Sequence, residues 1–427
     1  MLSRLNLKSE FLKYIFVLMS GTAMAQVLGY VFAPIITRLY TPEEGAELGL
    51  YIRFIGVGAA MATLRYELAI PIPKNDVHSF RLYRVALATT LIVTVICFAI
   101  LLIPSIISGK GESVLFYLML PLGLLLTAIH NIGTNWSIRQ KFFKSISLSK
   151  MTNSLFGNGM KVVFGFLHIG YMGLILGTII GLVVSAFWFV RDFVRARKKY
   201  QISARSPRNR VLAKEYSEFP KINLPHVLMD LGRDLLVAVI LLEIFSKEDF
   251  GLYDHSYRML RLPLILMGTA IGQVFFQRCA EKINKGEDVV PLMKRSVGTL
   301  ALLSIVPFAV IFFFGEELFA FVFGEDWKGS GTYSEIMAPW FLVNFIISPI
   351  SSLPLILRRQ RSFFLLAAGG SVLIILSLLL PYLMFDADIV TTLWIHSLLQ
   401  AVFLMFVIYK VFGYAKEMRA EQLNKTS

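Results

Sequence analysis

The sequence predicts an all-α integral membrane protein of about 12 transmembrane helices, in two six-helix bundles related by a pseudo-two-fold along the membrane normal. Three observations carry that prediction. The chain is 56% hydrophobic and 16% charged over 427 residues, and its apolar stretches are long enough to cross a bilayer one after another. Lys and Arg crowd into every second gap between those stretches. A six-residue pattern recurs at an offset of about 205 residues, each time at the turn between an odd run and an even one.

Taken in order, the runs are 12–36, 48–72, 85–107, 114–136, 146–167, 169–191, 222–245, 250–276, 296–314, 333–356, 362–384 and 389–412. Lipid offers no partner to a free peptide group, so each run is expected to be a helix, and the alternating pattern of an outer-membrane barrel strand is absent. The first run, from Phe11 to Ile36, lacks the short apolar core and small-residue cleavage site of a signal peptide and reads as a retained helix. Pro34, Pro121, Pro263, Pro307, Pro339 and Pro349 are expected to kink the helices that hold them. Gly173, Gly177 and Gly181, spaced by four, mark close packing of the sixth run on a neighbour. No soluble domain fits between runs: the longest outer gap is about 315–335, and the longest inner one, 191–218, is a basic connector.

With the N-terminus inside, the inner segments 1–13, 73–84, 138–150, 191–214, 278–295, 358–361 and 410–427 hold about 31 of the 42 Lys and Arg. The outer gaps hold about four: Arg38, Lys110, Lys247 and Lys328. Both termini are therefore expected on the cytoplasmic side of the membrane. The net charge of +14 belongs to loops facing anionic lipid, which argues against nucleic acid as a partner. Cys97 and Cys279 lie in or beside different runs and make no disulfide framework.

Seven cations remain at membrane depth: Arg53, Arg65, Lys161, Lys221, Arg233, Arg258 and Arg261. Each costs about 2.5–3.5 kcal/mol on insertion scales, so the surplus points to an anionic cargo. Arg53, Gly56, Ala60, Thr63 and Glu67 follow helical spacing and form one small or polar stripe. Asp254, Arg258 and Arg261 share a face of the eighth run. One reading has Arg53, Arg258 and Arg261 lining a central cavity and holding phosphate oxygens, which guanidinium forks suit. The other makes Asp254–Arg258 an internal ion pair. Asp230, Arg233 and Asp234 are either an ion-coupling site, to which Asp254 is a further candidate, or a structural pair around Arg233. Lys161 reads equally as a phosphate contact or a packing residue, and Arg65 as a contact or a cation snorkelling inward.

Other patterns resolve plainly. Asp386-Ala387-Asp388 resembles a nucleotide-sugar transferase carboxylate pair but sits in an outer gap. The six His show no zinc spacing, there is no phosphate-binding Gly-rich loop and no nucleophilic triad, and no cofactor is expected. The recurring pattern is Leu39-Tyr40-Thr41-Pro42-Glu43-Glu44 over Ile244-Phe245-Ser246-Lys247-Glu248-Asp249. Continued in register it lays Arg53 over Arg258 and divides the chain into 1–210 and 211–427.

Four stretches carry a family resemblance: Ile35-Ile36-Thr37-Arg38-Leu39-Tyr40-Thr41-Pro42-Glu43-Glu44, Leu64-Arg65-Tyr66-Glu67-Leu68-Ala69-Ile70, Phe219-Pro220-Lys221-Ile222-Asn223-Leu224-Pro225 and Gly272-Gln273-Val274-Phe275-Phe276-Gln277-Arg278. In order and placement they resemble the Wzx-type polysaccharide and O-antigen flippases of the multidrug/oligosaccharidyl-lipid/polysaccharide exporter superfamily. The family usually has Phe-Gly after the acidic pair, as at Phe250-Gly251; the first copy has Gly45-Ala46. The resemblance implies a non-enzymatic flippase that moves an undecaprenyl-diphosphate-linked oligosaccharide between leaflets by alternating access. Its partners would be that lipid-linked oligosaccharide and membrane lipids, with a glycan polymerase as a further candidate. Two alternatives are kept: a cation-coupled multidrug exporter of the same superfamily, which should prefer an acidic cavity, and an integral-membrane glycan polymerase or ligase, which should need a large outer loop.

Overall fold

A computed structural model describes residues 2–108, 111–200, 209–357 and 359–426. Lys110, residues 201–208 of the basic connector, Arg358 and the side chain of Pro263 lie outside the described residues. Among those described there is no strand. Packing divides the chain into two units, Met1–Leu235 and Leu236–Ser427. That division falls inside a helix, whereas the sequence register divides the chain at 210/211.

Unit 1 contains α1 (Leu2–Thr37), α2 (Pro42–Thr63), α3 (Asp76–Ser108), α4 (Gly111–Arg139), α5 (Phe143–Phe166), α6 (Tyr171–Lys199), the short α7 (Asn209–Glu215) and the first half of α8 (Leu224–Ile244). Close approach of α5 and α6 is set by glycine. A Cβ at Gly181 would lie 2.9 Å from the Gly157 Cα, and one at Gly177 would meet the Gly157 carbonyl and the stem of Lys161. α1 is tied to α5 by the Ser147 hydroxyl donating to the Val17 carbonyl (2.7 Å) and by Lys150 Nζ donating to Thr22 Oγ1 (3.0 Å). At one end of the unit Phe80, Tyr83, Trp136, Phe193 and Tyr200 stack into an aromatic cluster that binds α3, α4 and α6.

Unit 2 contains α9 (Lys247–Asn284), α10 (Val290–Phe323), α11 (Lys328–Ile347), the single turn α12 (Leu353–Ile356), α13 (Gln360–Phe385) and α14 (Ile389–Thr426). Among the described residues, eight of the long helices are apolar and long enough to cross a membrane by length and composition. α5, α8, α9 and α11 are not among them; α8 carries Asp230, Arg233 and Asp234 in its first half, and the side chains of mid-α9 are outside those described.

The recurring six residues have a local meaning. Thr41 and Glu44 form a reciprocal capping box at the start of α2, and Ser246 and Asp249 form the same box at the start of α9. Each box satisfies two backbone N–H groups that no helical carbonyl reaches.

Three sequence expectations need correction. The second run ends as a helix at Thr63, not 72, because Leu64 and Arg65 adopt the left-handed conformation at φ 49° and 60°. The chain then makes a 3-10 turn over Tyr66–Ala69, held from afar by the Tyr66 hydroxyl donating to the Ala213 carbonyl at 3.0 Å. Arg65 and Glu67 are therefore off the helix, and the expected stripe stops at Thr63, with Ala60 and Thr63 buried in packing. The outer gap 315–335 is almost entirely helical, only Gly324 and a turn at Glu325–Trp327 separating α10 from α11. α10 breaks locally at Phe314 (φ −136°), and the Glu335 carboxylate accepts the N–H of Glu316 at 2.8 Å. The run 333–356 is likewise split: α11 stops at Ile347, and Pro349 opens a 3-10 turn instead of kinking a helix. Pro381 lies inside α13 and was not foreseen as a kink position.

Candidate functional site

In unit 1, one guanidinium on α2 and one on the turn after it bond to the first half of α8 and to the turn that leads into it. Arg53 Nε donates to the main-chain carbonyl of Asp234 at 3.1 Å, and its Nη1 donates to the Gly49 carbonyl one turn earlier in α2 at 3.0 Å. Twelve positions on, Arg65 Nε donates to Asn223 Oδ1 at 3.1 Å, at the π-helical turn Phe219–Asn223 that leads into α8. Between the bridges a Cβ at Gly56 or at Gly232 would meet nothing within 4 Å. The seam is thus polar at both ends with open space beside its glycines.

Carboxylates accompany the cations. Arg233 lies 2.9 Å from Asp234 Oδ1 and 3.7 Å from Asp230 Oδ1, so the seventh-run triad is an ion-paired cluster. Arg65 Nη1 lies 3.1 Å from Glu67 Oε1, and the Glu67 side chain is 1% exposed. Burial raises the Glu67 pKa above the ordinary carboxylate value, opposed by the Thr63 hydroxyl and the Arg65 charge. Lys161 packs its stem over Gly177 in the α5–α6 contact, while its main-chain carbonyl accepts the Tyr40 hydroxyl at 2.8 Å. Lys221 is exposed on the π-helical turn.

In unit 2, Arg258 Nε lies 3.1 Å from Asp254 Oδ2; the acid is 2% exposed and the Arg 41%. The pair lies within one helix, its members four residues apart. Its neighbour His255 is buried against Phe319, Phe323 and Trp327, an aromatic wall that fixes this stretch of α9. Arg261 is exposed, with its guanidinium carbon 5.7 Å from the Tyr257 ring centroid. Among the described residues it meets no carboxylate.

Arg53 and Arg258 stand at equivalent positions of the two capped helices, each bonding back to the carbonyl four residues earlier, Gly49 and Asp254. They differ in what position i−4 supplies: glycine frees Arg53 to reach across to α8, whereas Asp254 holds Arg258 on its own helix. Asn223, Gly232 and Tyr257 were not singled out from sequence. Tyr257 had a usable signal, an aromatic one turn before Arg261. Asn223 stands inside the Phe219–Pro225 stretch, but nothing local points to its partner 158 residues away. Among the described residues no group of three or more His, Cys, Asp or Glu is arranged to hold a metal ion.

A family model described as polysaccharide biosynthesis protein matches residues 35–331. No curated protein is similar enough in sequence to count as a relative. Among solved structures, the chain resembles the lipid II flippase MurJ in an inward closed conformation, with a TM-score of 0.67 at 12% identity over 96% of this chain and 91% of that one. It also resembles a multidrug resistance MATE family transporter of the MOP superfamily in its inward-facing conformation, with a TM-score of 0.66 at 15% identity over 95% and 96%. A MOP superfamily transporter from Pyrococcus furiosus, described as having a binding pocket of reverse polarity that suggests a different function, aligns with a TM-score of 0.53 at 15% identity over 96% and 94%. At these identities the likeness is one of fold.

Proposed function

Because the chain belongs to the polysaccharide biosynthesis protein family, we propose that it is a flippase that carries an undecaprenyl-diphosphate-linked oligosaccharide across the bacterial cytoplasmic membrane by alternating access, with both termini inside. It does so as a carrier and not as an enzyme. Arg53 and Arg261 are the diphosphate contacts; Arg258, Arg65 and Lys161 support them by holding Asp254, the α2–α8 seam and the α5–α6 contact.

The observation that carries this reading is Arg261. It lies about 21 Å along α9 from Lys247 at about 1.5 Å per residue, exposed, with an aromatic ring as its described contact. A guanidinium at that depth does not face hydrocarbon, where it is costly, so it faces a water-filled passage that admits a polar cargo. A diphosphate supplies the matching charge, and a planar fork binds it bidentately.

In proteoliposomes loaded with a fluorescent polyprenyl-diphosphate sugar, Arg261→Ala is expected to slow transfer at least tenfold, with Arg261→Lys between it and the parent. Arg53→Ala should act in the same direction. Unchanged transfer in correctly folded Arg261→Ala protein would sink the assignment. Export of cationic drugs by whole cells would favour a drug exporter, and glycan-chain extension by the purified protein would favour a polymerase or ligase.

A further inference from the structure

Unit 1 holds a second cationic feature, remote in sequence from Arg53 and Arg65. A cavity of about 340 Å³ is lined by Val17 of α1, by Lys141, Phe142, Phe143, Lys144 and Ser145 at the α4–α5 turn, and by Arg191, Asp192 and Arg195 near the end of α6. That volume lies within the range of about 300–1,000 Å³ of small-molecule sites. Among the described lining residues, four cations stand with one carboxylate.

Their partners differ in a telling way. Arg191 is committed: it donates to Asp192 Oδ1 (3.2 Å) and Ser145 Oγ (3.3 Å), and its guanidinium carbon lies 4.8 Å from the Trp188 ring centroid. Asp192 is buried and takes Arg191 on its Oδ1. Arg195 reaches Asp192 only at 4.0 Å and is mostly exposed. Lys141 and Lys144 are exposed at the rim and meet no carboxylate among the described residues. The turn is sharp because Lys141 is left-handed (φ 59°), the Phe142 N–H bonding the Ser137 carbonyl at 2.7 Å. Three exposed positive side chains therefore line one cavity, two of them meeting no carboxylate among the described residues and the third sharing Asp192 with Arg191.

Beside that mouth the surface changes character. Phe187, Val190 and Val194 follow one another along one face of α6 and are all exposed, and Phe142 is exposed at the turn. A cationic pocket opening onto an apolar helix face matches an amphiphile: a phosphate in the pocket, acyl chains along the face. We propose that this cavity is a binding site for an anionic diacyl phospholipid of the leaflet at the basic-loop end of the helices, its phosphodiester held by Lys141, Lys144 and Arg195. Basic pockets between transmembrane helices take such headgroups. The apolar track selects a lipid over free phosphate. The site is independent of the cargo assignment, since none of its residues belongs to the α2–α8 seam or to α9.

The test is lipid titration of the full-length protein, followed by native mass spectrometry. Phosphatidylglycerol is expected to bind at least tenfold more tightly than phosphatidylcholine. The triple variant Lys141→Ala, Lys144→Ala, Arg195→Ala should lose that preference, while Lys141→Arg, Lys144→Arg, Arg195→Lys keeps it and guards against misfolding. Equal affinity for the two lipids, or a preference that survives the alanine triple, overturns the proposal. So does displacement of phosphatidylglycerol by millimolar inorganic phosphate, or a polyprenyl diphosphate that outcompetes phosphatidylglycerol at this pocket alone. Cargo transfer in phosphatidylcholine vesicles separates the two readings: loss of lipid preference with transfer intact leaves the flippase reading standing.

Discussion

Arg258 and Arg261 stand one turn apart on α9, yet their surroundings assign them different work. The Asp254 carboxylate is 2% exposed, and Arg258 is the cation beside it. Removing that cation takes away the ion pair of a buried carboxylate, so Arg258→Ala should destabilise the protein by about 1–3 kcal/mol, read as a lower apparent Tm in detergent. Adding Asp254→Asn should restore most of the loss, because the buried group is then neutral. A double variant no more stable than Arg258→Ala would show that the pair is not what matters. The sequence displayed all these charges, and the spacing of Asp254 and Arg258 made their pairing readable. It did not reveal that Arg53 reaches a main-chain carbonyl 181 residues away, because a carbonyl leaves no signature in a side-chain pattern.

Helix starts were more legible than helix ends. The hydroxyl and the acid three residues after it are local, so the capping boxes of α2 and α9 were present in the aligned pattern before their purpose was known. The end of α2 was hidden because apolar residues continue past Thr63; the left-handed pair at Leu64 and Arg65 is held by Ala213 and Asn223, far along the chain. The stretch 315–335 misled for the opposite reason. It reads as a gap between apolar runs, but Glu335 caps the backbone broken at Phe314, and Glu316 takes Thr332 and Lys328. The same segment holds a backbone-to-backbone glycine contact between helices: a Cβ at Gly331 would fall 2.3 Å from the Gly315 carbonyl. Gly331→Val is therefore expected to cost about 1–3 kcal/mol or more through overpacking. Gly369→Ala in α13, where the added carbon meets nothing within 4 Å, should be neutral or stabilising by about 0.5–1 kcal/mol. Thermal unfolding of both variants side by side checks the contrast; equal effects would remove packing as the cause.

For the whole molecule, the count of long helices was readable from hydrophobic runs: twelve runs stand against twelve helices of 20 residues or more among the described residues. Orientation rests on the distribution of Lys and Arg. With Cys97 and Cys279 first replaced by Ser, a cysteine at Lys285 should react with an impermeant maleimide only from the cytoplasmic side, and one at Asp386 only from outside. Labelling of both from one face would invert or break the assigned topology. The polarity of α5 carries a consequence for how such a chain is made. With Lys144, Lys150 and Lys161 along it, α5 is poorly suited to entering lipid alone, and its shelter is α1 on one side and the glycine-packed α6 on the other. The ribosome delivers α1 early and α6 only after α5 is complete. Biogenesis therefore demands that α5 wait at the insertion machinery, or against α1, until α6 emerges to close over it.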